Sequence, residues 1–102
     1  MILVTGEILA KPDRAAEVEG LSLAHVKRSR AEDGCISHDV HRHVEDPNRF
    51  VFVEAWSDMI KLKAHFALPE SQQFARQVAL MAQEPVKIEI FHAVPIAANL
   101  SL

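Results

Sequence analysis

Two strand-like segments joined by a short polar turn constrain the fold of this chain more than any other feature. Residues 35–44 and 49–56 alternate in character from one residue to the next, and residues 45–48 include a proline and an asparagine, which are typical of turns. We therefore predict a β-hairpin. Its second strand has apolar side chains on both faces, so we expect both to be covered. One face carries Phe50, Phe52, Glu54 and Trp56, and the other carries Val51, Val53 and Ala55.

The segments before the hairpin predict a central strand and a long helix. Residues 2–9 are mostly apolar, which is typical of a strand buried on both faces. Asp13 is suited to cap a helix that runs to about residue 31, and Gly34 is suited to end it as a C-cap. In the first strand of the hairpin, alternation places four residues on one face: Ile36, His38, Val40 and Val44.

Two further helices and a last strand are predicted after the hairpin. Ser57 or Asp58 is suited to cap a short helix, which ends where Leu68 meets a proline. A helix over residues 71–82 and a strand over residues 86–94 follow, and the short apolar tail is expected to dock on a neighbour. Six apolar residues of the two helices are expected to face inward: Met59, Leu62, Phe66, Phe74, Val78 and Met81.

The resulting order, β-α-β-β-α-α-β, is that of an α+β protein. It predicts a ferredoxin-like split βαβ arrangement, with an antiparallel sheet and helices on one face only. At 102 residues the chain is expected to form a single domain, 1–102. The uncovered side of the sheet would expose more apolar surface than a monomer usually does, so we predict a twofold homodimer that packs sheet on sheet.

Composition argues against several classes of protein. The net charge is −3 with acidic and basic residues well mixed, so no basic surface for a nucleic acid is expected. No apolar run approaches the roughly 20 residues of a membrane span, and the first residues lack the pattern of a secretory signal. Cys35 is the only cysteine, which excludes an internal disulfide. We therefore expect a cytoplasmic protein.

Three groups of residues give the chain a resemblance to the antibiotic biosynthesis monooxygenase family. They are Glu32-Asp33-Gly34-Cys35; Pro47, Phe50 and Glu54-Ala55-Trp56; and Ala64-His65-Phe66 with Pro69, Ser71 and Phe74. The resemblance implies a dimeric α/β barrel. Members of the family include quinol monooxygenases that use molecular oxygen without metal or flavin, enzymes that degrade haem, and enzymes that isomerise a phosphorylated signalling sugar. Family membership alone does not choose among these activities.

Two departures from the family pattern bear on the choice. Many members have a tyrosine where this chain has His38, and a histidine can also hold a substrate oxygen. The haem-degrading members share an asparagine on the first strand and a histidine that binds the haem on the last-but-one element. Here the first strand has Thr5, Gly6 and Glu7 instead of an asparagine, and the sequence around Phe74 contains no histidine. Haem cleavage is therefore not expected.

The candidate site is an apolar cavity between the sheet and the helices. His65 is a candidate general base, because a free histidine has a pKa near 6.5 and can accept a phenolic proton at neutral pH. His38 is the second candidate. The expected substrate-binding residues are Trp56, Glu54, Phe52, Phe66 and Phe74. Trp56 and His65 are expected to face the cavity from two walls. The structural alternative is that these histidines and Trp56 are core residues, and that Glu54 is a paired buried carboxylate.

The activity expected from these residues is the oxidation of a small aromatic or quinol by molecular oxygen, without metal or other cofactor. Isomerisation of a small hydroxy-ketone or sugar phosphate is the alternative, with Lys61, Lys63 or Arg76 as candidate phosphate ligands. A non-catalytic dimeric binding protein is the third possibility. His41 and His43 are interpreted as residues of a solvated face rather than metal ligands. No role is assigned to His25 or His92.

Overall fold

The computed structural model describes residues 1–98, which form a four-stranded antiparallel sheet and three α-helices. The elements are β1 (Ile2–Leu9), α1 (Ala15–Ser29), β2 (Cys35–Arg42), β3 (Arg49–Trp56), α2 (Met59–Ala67), α3 (Pro69–Met81) and β4 (Lys87–His92). The strand order β2-β3-β1-β4 places β1 inside the sheet. The predicted α+β class and ferredoxin-like arrangement are confirmed.

The register of the two inner strands decides which residues face the helices. Val4 lies opposite Glu54 and Gly6 lies opposite Phe52, so these side chains share one face of the sheet. This face packs under the helices, and two groups of buried apolar residues from the sheet and the helices lie at their contact. One contains Ile8, Ala10, Ala15, Val18, Val26, Phe50, Phe52, Val78 and Met81. The other contains Ile2, Val4, Trp56 and Leu62. The alternation of residues 49–56 thus places the predicted face inward.

Two predicted helix boundaries are wrong. Asp13 does not cap α1, because it lies within a short 3₁₀ turn (Pro12–Arg14) that precedes the helix. Gly34 is not its C-cap, because α1 already ends at Ser29. Gly34 has φ of +83° in the turn before β2, and a Cβ there would overlap the side chain of Lys61. The glycine is therefore needed by that turn and its close approach to α2. Asp58 does cap α2 by accepting a hydrogen bond from the backbone N–H of Lys61.

Two predicted inward-facing sets are partly wrong. A register shift between Cys35 and Ser37 leaves Ile36 59% exposed, although His38 beyond the shift is buried opposite Glu54. β2 ends at Arg42, so Val44 lies outside the sheet and is exposed. Phe66 is also exposed over about a third of its surface, 36%, because it lies at the rim rather than in the core.

The face of the sheet away from the helices is open in the single chain. Val53 and Phe91 are each exposed on it, and charged residues of both signs accompany them, among them Glu7, Arg49 and Lys87. No helix within residues 1–98 is long and apolar enough to cross a membrane. The predicted tail runs partly beyond the described residues, and its described part has no regular structure.

Candidate active site

A cavity of about 370 Å³ lies between the sheet and the helices. This volume falls in the range of small-ligand sites, and the lining is largely apolar. The lining residues come from three strands, the three helices and the segment before β4: Gly6, Glu7, Ile8, His25, Phe52, Glu54, His65, Phe66, Ser71, Phe74, Ala75, Val78, Ala79, Pro85, Val86 and Ile88. The site residues predicted from sequence include five of these, namely His65, Glu54, Phe52, Phe66 and Phe74.

Two predicted site residues, Trp56 and His38, lie behind the cavity lining. Trp56 is fully buried, and its ring centroid is 4.6 Å from that of His65. The sequence analysis expected the indole to form a cavity wall opposite His65, and this is wrong. The indole instead packs against His65 from the core. Its Nε1–H donates to Oε1 of Glu54 at 3.0 Å, which satisfies the polar atom of a buried tryptophan. His38 packs beside it, with 6.2 Å between the two ring centroids.

His65 is held in one orientation by Glu32. The side chain of His65 is buried on α2, and its Nδ1 lies 2.8 Å from Oε1 of Glu32, in the turn that follows α1. Because an ionised carboxylate only accepts hydrogen bonds, we assign the ring proton to Nδ1. Nε2 then carries a lone pair, and His65 lines the cavity. This is the arrangement that a general base requires.

His25 is a cavity residue to which the sequence analysis assigned no role. It lies on α1, is buried, and stacks on Phe74 with 4.1 Å between ring centroids and 8° between ring planes. Its ring centroid is 5.2 Å from those of both His38 and His65. The available signal was a set of α1 residues at helical spacing, of which His25 is the one ionisable member: Ala15, Val18, Ser22, His25 and Ser29. The sequence did not show which part of the sheet this set would face.

Burial and neighbouring positive charge keep His25 neutral. The pKa of His25 is lowered to about 3, and removal from water is the largest cause. The positive charges that His38, His65 and Arg28 can carry contribute to this lowering, whereas Glu54 acts in the opposite direction. At neutral pH the ring is therefore uncharged.

Glu54 is the carboxylate at the centre of this group. Burial acts to raise the pKa of Glu54, but the close approach of the His38 ring, with contributions from Trp56 and His65, outweighs it and lowers the pKa below its usual value. Oε1 of Glu54 lies 3.1 Å from Nε2 of His38, within ion-pair distance, although the two atoms do not form a hydrogen bond of normal geometry. Glu54 is thus an ionised anchor for its neighbours.

The three histidines also form the one cluster within residues 1–98 that resembles a metal site. One ring nitrogen of each of His25, His38 and His65 lies within 4.8 Å of the others. Zinc bonds of about 2.1 Å would require nitrogens roughly 3.4 Å apart, so the rings would have to approach. A ligating histidine usually donates its second ring N–H to an acceptor, but the second nitrogen of His25 faces the guanidinium of Arg28. The donor set therefore fits a metal ion poorly.

Comparison with known proteins places this geometry in a family. The family model described as antibiotic biosynthesis monooxygenase matches residues 1–77. The protein sll1783 of Synechocystis sp. is 33% identical over 90 residues, which are 88% of this chain and 61% of that protein. The chain thus spans less than two thirds of that relative.

Two solved structures are also similar to this chain. The structure of Rv0793 from Mycobacterium tuberculosis has a TM-score of 0.87 at 25% identity and covers 95% of this chain and 98% of its own. PA3566 from Pseudomonas aeruginosa has a TM-score of 0.83 at 30% identity, over 92% and 94% of the two chains.

The fold and the site together define a small ferredoxin-like α+β protein with an apolar cavity and a carboxylate-held histidine at its wall. The chain belongs to the antibiotic biosynthesis monooxygenase family. The resemblance inferred from the residues around Gly34, Trp56 and His65 is therefore confirmed.

Proposed function

We propose that the protein is a monooxygenase that oxidises a small aromatic or quinol in this cavity with molecular oxygen and without a cofactor. The observation that carries the proposal is the pair of Glu32 and His65 at the wall of an apolar cavity. The family supports monooxygenase chemistry, and the edge-on rings of Phe52 and Phe74 give the cavity an aromatic lining that suits a flat substrate. The apolar lining limits the water that would compete with oxygen for reactive intermediates.

The reaction balances without an external reductant. Nε2 of His65 takes a phenolic proton from a hydroquinone, and the resulting anion passes one electron to oxygen. The semiquinone and superoxide then combine, forming a carbon–oxygen bond and, after proton return, a hydroperoxide. Loss of water from the hydroperoxide breaks the O–O bond and leaves a hydroxylated quinone. The substrate supplies all four electrons: one oxygen atom enters the product and the other leaves as water.

Removal of His65 is expected to abolish most of the oxygen uptake. General bases typically contribute 10²- to 10⁴-fold, so His65→Ala should lower the rate of oxygen uptake with hydroquinones by about a hundredfold or more. Oxygen-electrode measurements across a panel of hydroquinones check this. His41→Ala is the matched control, because His41 is exposed on β2 and does not line the cavity. Equal rates in the wild type and His65→Ala would contradict the proposed base. No uptake by folded wild-type protein would favour a binding protein.

The alternative of a sugar-phosphate isomerase has less support in this geometry. None of Lys61, Lys63 and Arg76 lines the cavity. Lys61 is paired with Asp33, and the other two side chains are exposed. A phosphate in the cavity would therefore lack a cationic partner among the described residues. Protection against heat by a sugar phosphate, together with no oxygen uptake, would reverse this preference.

We also propose that a second copy of the chain covers the open face of the sheet. A twofold interface must be self-complementary, and this face offers apolar Val53 and Phe91 beside charges of both signs. Val53→Glu is expected to shift the protein from dimer to monomer in sedimentation at micromolar concentration. Ile60→Glu is the matched control, because the side chain of Ile60 is exposed on α2, away from this face, and the variant should leave the dimer intact. A wild-type monomer would contradict the proposal.

A further inference from the structure

Arg28 fixes the position of the proton on His25. Nη2 of Arg28 lies 2.8 Å from Nδ1 of His25, one helical turn away on α1. A guanidinium can donate hydrogen bonds but cannot accept them, so Nδ1 must be the acceptor. A neutral imidazole that accepts at Nδ1 carries its proton on Nε2. His25 is therefore a neutral ring with an Nε2–H donor.

The donor of His25 is available to a molecule in the cavity. The ring lines the cavity and is held in place by its stack on Phe74. Within residues 1–98, Nε2 of His25 has no hydrogen-bond partner, and it is not among the polar atoms fully enclosed by protein. The same holds for Nε2 of His65.

The two neighbouring histidines therefore have opposite tautomers. Glu32 accepts from Nδ1 of His65, which leaves a lone pair on Nε2, whereas Arg28 donates to Nδ1 of His25, which leaves a proton on Nε2. The ring centroids are 5.2 Å apart. One ring nitrogen of each lies within 4.8 Å of the other. An oxygen that makes hydrogen bonds of about 2.8 Å can bridge two nitrogens up to roughly 5.6 Å apart. The two Nε2 atoms are the ring nitrogens of these two histidines left without a protein partner within residues 1–98, so they are the pair that such an oxygen would bridge.

We propose that this pair binds the oxygen of a phenol, with His65 accepting its proton and His25 donating to the phenolate oxygen that remains. The substrate class is thereby narrowed to aromatics with a free, ionisable hydroxyl, and aromatic ethers are excluded. The inference rests on the proposed function, because it assigns a second residue to the same cavity. His25 is a catalytic residue in this scheme, since it contacts the oxygen that becomes charged.

The scheme places the strongest contact where charge develops. A hydrogen bond to an anionic oxygen is about twice as strong as one to a neutral oxygen, so the donor favours the phenolate over the phenol. Four ionisable groups face His25: Arg28 on its own helix, His38 on β2, Glu54 on β3 and His65 on α2. Because the pKa of the protonated His25 ring is about 3, the ring stays neutral beside them at working pH. A neutral imidazole keeps its one N–H in this range, so Nε2–H remains a donor.

The binding of 4-nitrophenol tests the inference without oxygen chemistry. The absorbance of the bound phenolate reports its ionisation, and titration over pH gives the affinities of both forms. His25→Phe keeps the stack on Phe74 and removes the donor, so phenolate affinity is expected to fall about ten- to a hundredfold while neutral phenol affinity changes less than about threefold. His25→Gln retains a donor and is expected to recover part of the loss. Equal phenolate affinity in the wild type and His25→Phe would overturn the proposal.

A second measurement needs no substitution. The ¹⁵N chemical shifts of the histidine rings in the wild type are expected to show His25 protonated at Nε2 and His65 protonated at Nδ1. A proton on Nδ1 of His25 would overturn the proposal.

The failure of this proposal can be distinguished from the failure of the proposed function. Tight phenolate binding without oxygen uptake from hydroquinones would contradict the proposed monooxygenase activity but support the role of His25 as a donor. Oxygen uptake by the wild type, together with unchanged phenolate binding in His25→Phe, would support the activity but contradict the donor role.

Discussion

Acidification from pH 7 to pH 4 is expected to lower the free energy of unfolding by about 3 kcal/mol through His25 alone. The folded-state pKa of His25 is about 3, mainly because of burial and then the neighbouring His38 and His65, whereas an unfolded histidine titrates near 6.5. Between these values the unfolded chain binds more protons, so stability rises with pH there and is lost as pH falls below 6.5. The slope is about 1.4 kcal/mol per pH unit.

Glu54 acts in the same direction at lower pH. Its folded-state pKa is lowered despite burial, chiefly by His38, so its contribution is present above the unfolded pKa of a glutamate and lost as pH falls through the folded value. The two losses therefore overlap only in the acid part of the range. Below about pH 4.5 the decline in stability is expected to be steeper than His25 alone produces.

Urea denaturation at a series of pH values measures this dependence. His25→Gln removes the titrating ring, so its curve between pH 6.5 and pH 4.5 should be flatter than that of the wild type, whatever the absolute stability of the variant. His41→Gln, on an exposed histidine of β2, should leave the slope unchanged. A wild-type stability that is constant between pH 7 and pH 4.5 would show that His25 is not held neutral by the fold.

Replacing Trp56 by alanine is expected to lower the free energy of unfolding by about 3–5 kcal/mol. The side chain is fully buried and packs with Ile2, Val4 and Leu62, so its removal leaves a cavity among these residues. The substitution also removes the N–H that donates to Glu54. Against the 5–15 kcal/mol typical of small domains, the loss is a large share of the total.

Trp56→Phe separates the two contributions. It retains most of the ring but removes the donor to Glu54, and the loss of one hydrogen bond to a charged group typically costs about 1.5–3 kcal/mol. Leu80→Ala is the surface control, because Leu80 is largely exposed on α3, and it should change stability by less than about 0.5 kcal/mol. Denaturant midpoints provide the measurement. A loss below about 1 kcal/mol in Trp56→Ala would contradict a packed position for the indole.

The sequence was most informative where burial follows a simple period. Alternation along residues 49–56 correctly predicted which face of β3 is buried, because β3 lies inside the sheet and the pleat determines the direction of each side chain. The same rule failed at Ile36, since a register shift changes the face without leaving a clear signal in composition. Helix positions were predicted well. The ends of α1 were not, as Asp13 and Gly34 show, whereas the cap of α2 at Asp58 was predicted correctly.

The candidate site was harder to predict because it is assembled by contacts between distant segments. His65 meets Glu32 across 33 positions, and no local pattern contains that pairing. His25 was overlooked for a similar reason: its significance depends on the rings of α2, α3 and β2 that surround it. Trp56 was placed on the correct face of its strand, but the sequence could not show that the core would enclose it completely.

The two histidines of the pair differ in how their tautomers withstand local opening. The tautomer of His25 is set by Arg28 within a single turn of α1, so it persists for as long as that helix is formed. The tautomer of His65 depends on Glu32, which lies outside any helix or strand. Local opening of that turn would remove the contact that keeps Nε2 of His65, the proposed proton acceptor, unprotonated. It would leave the proposed donor, Nε2–H of His25, unchanged. If the proposed activity is present, its loss would report the opening of this one turn before the rest of the protein unfolds.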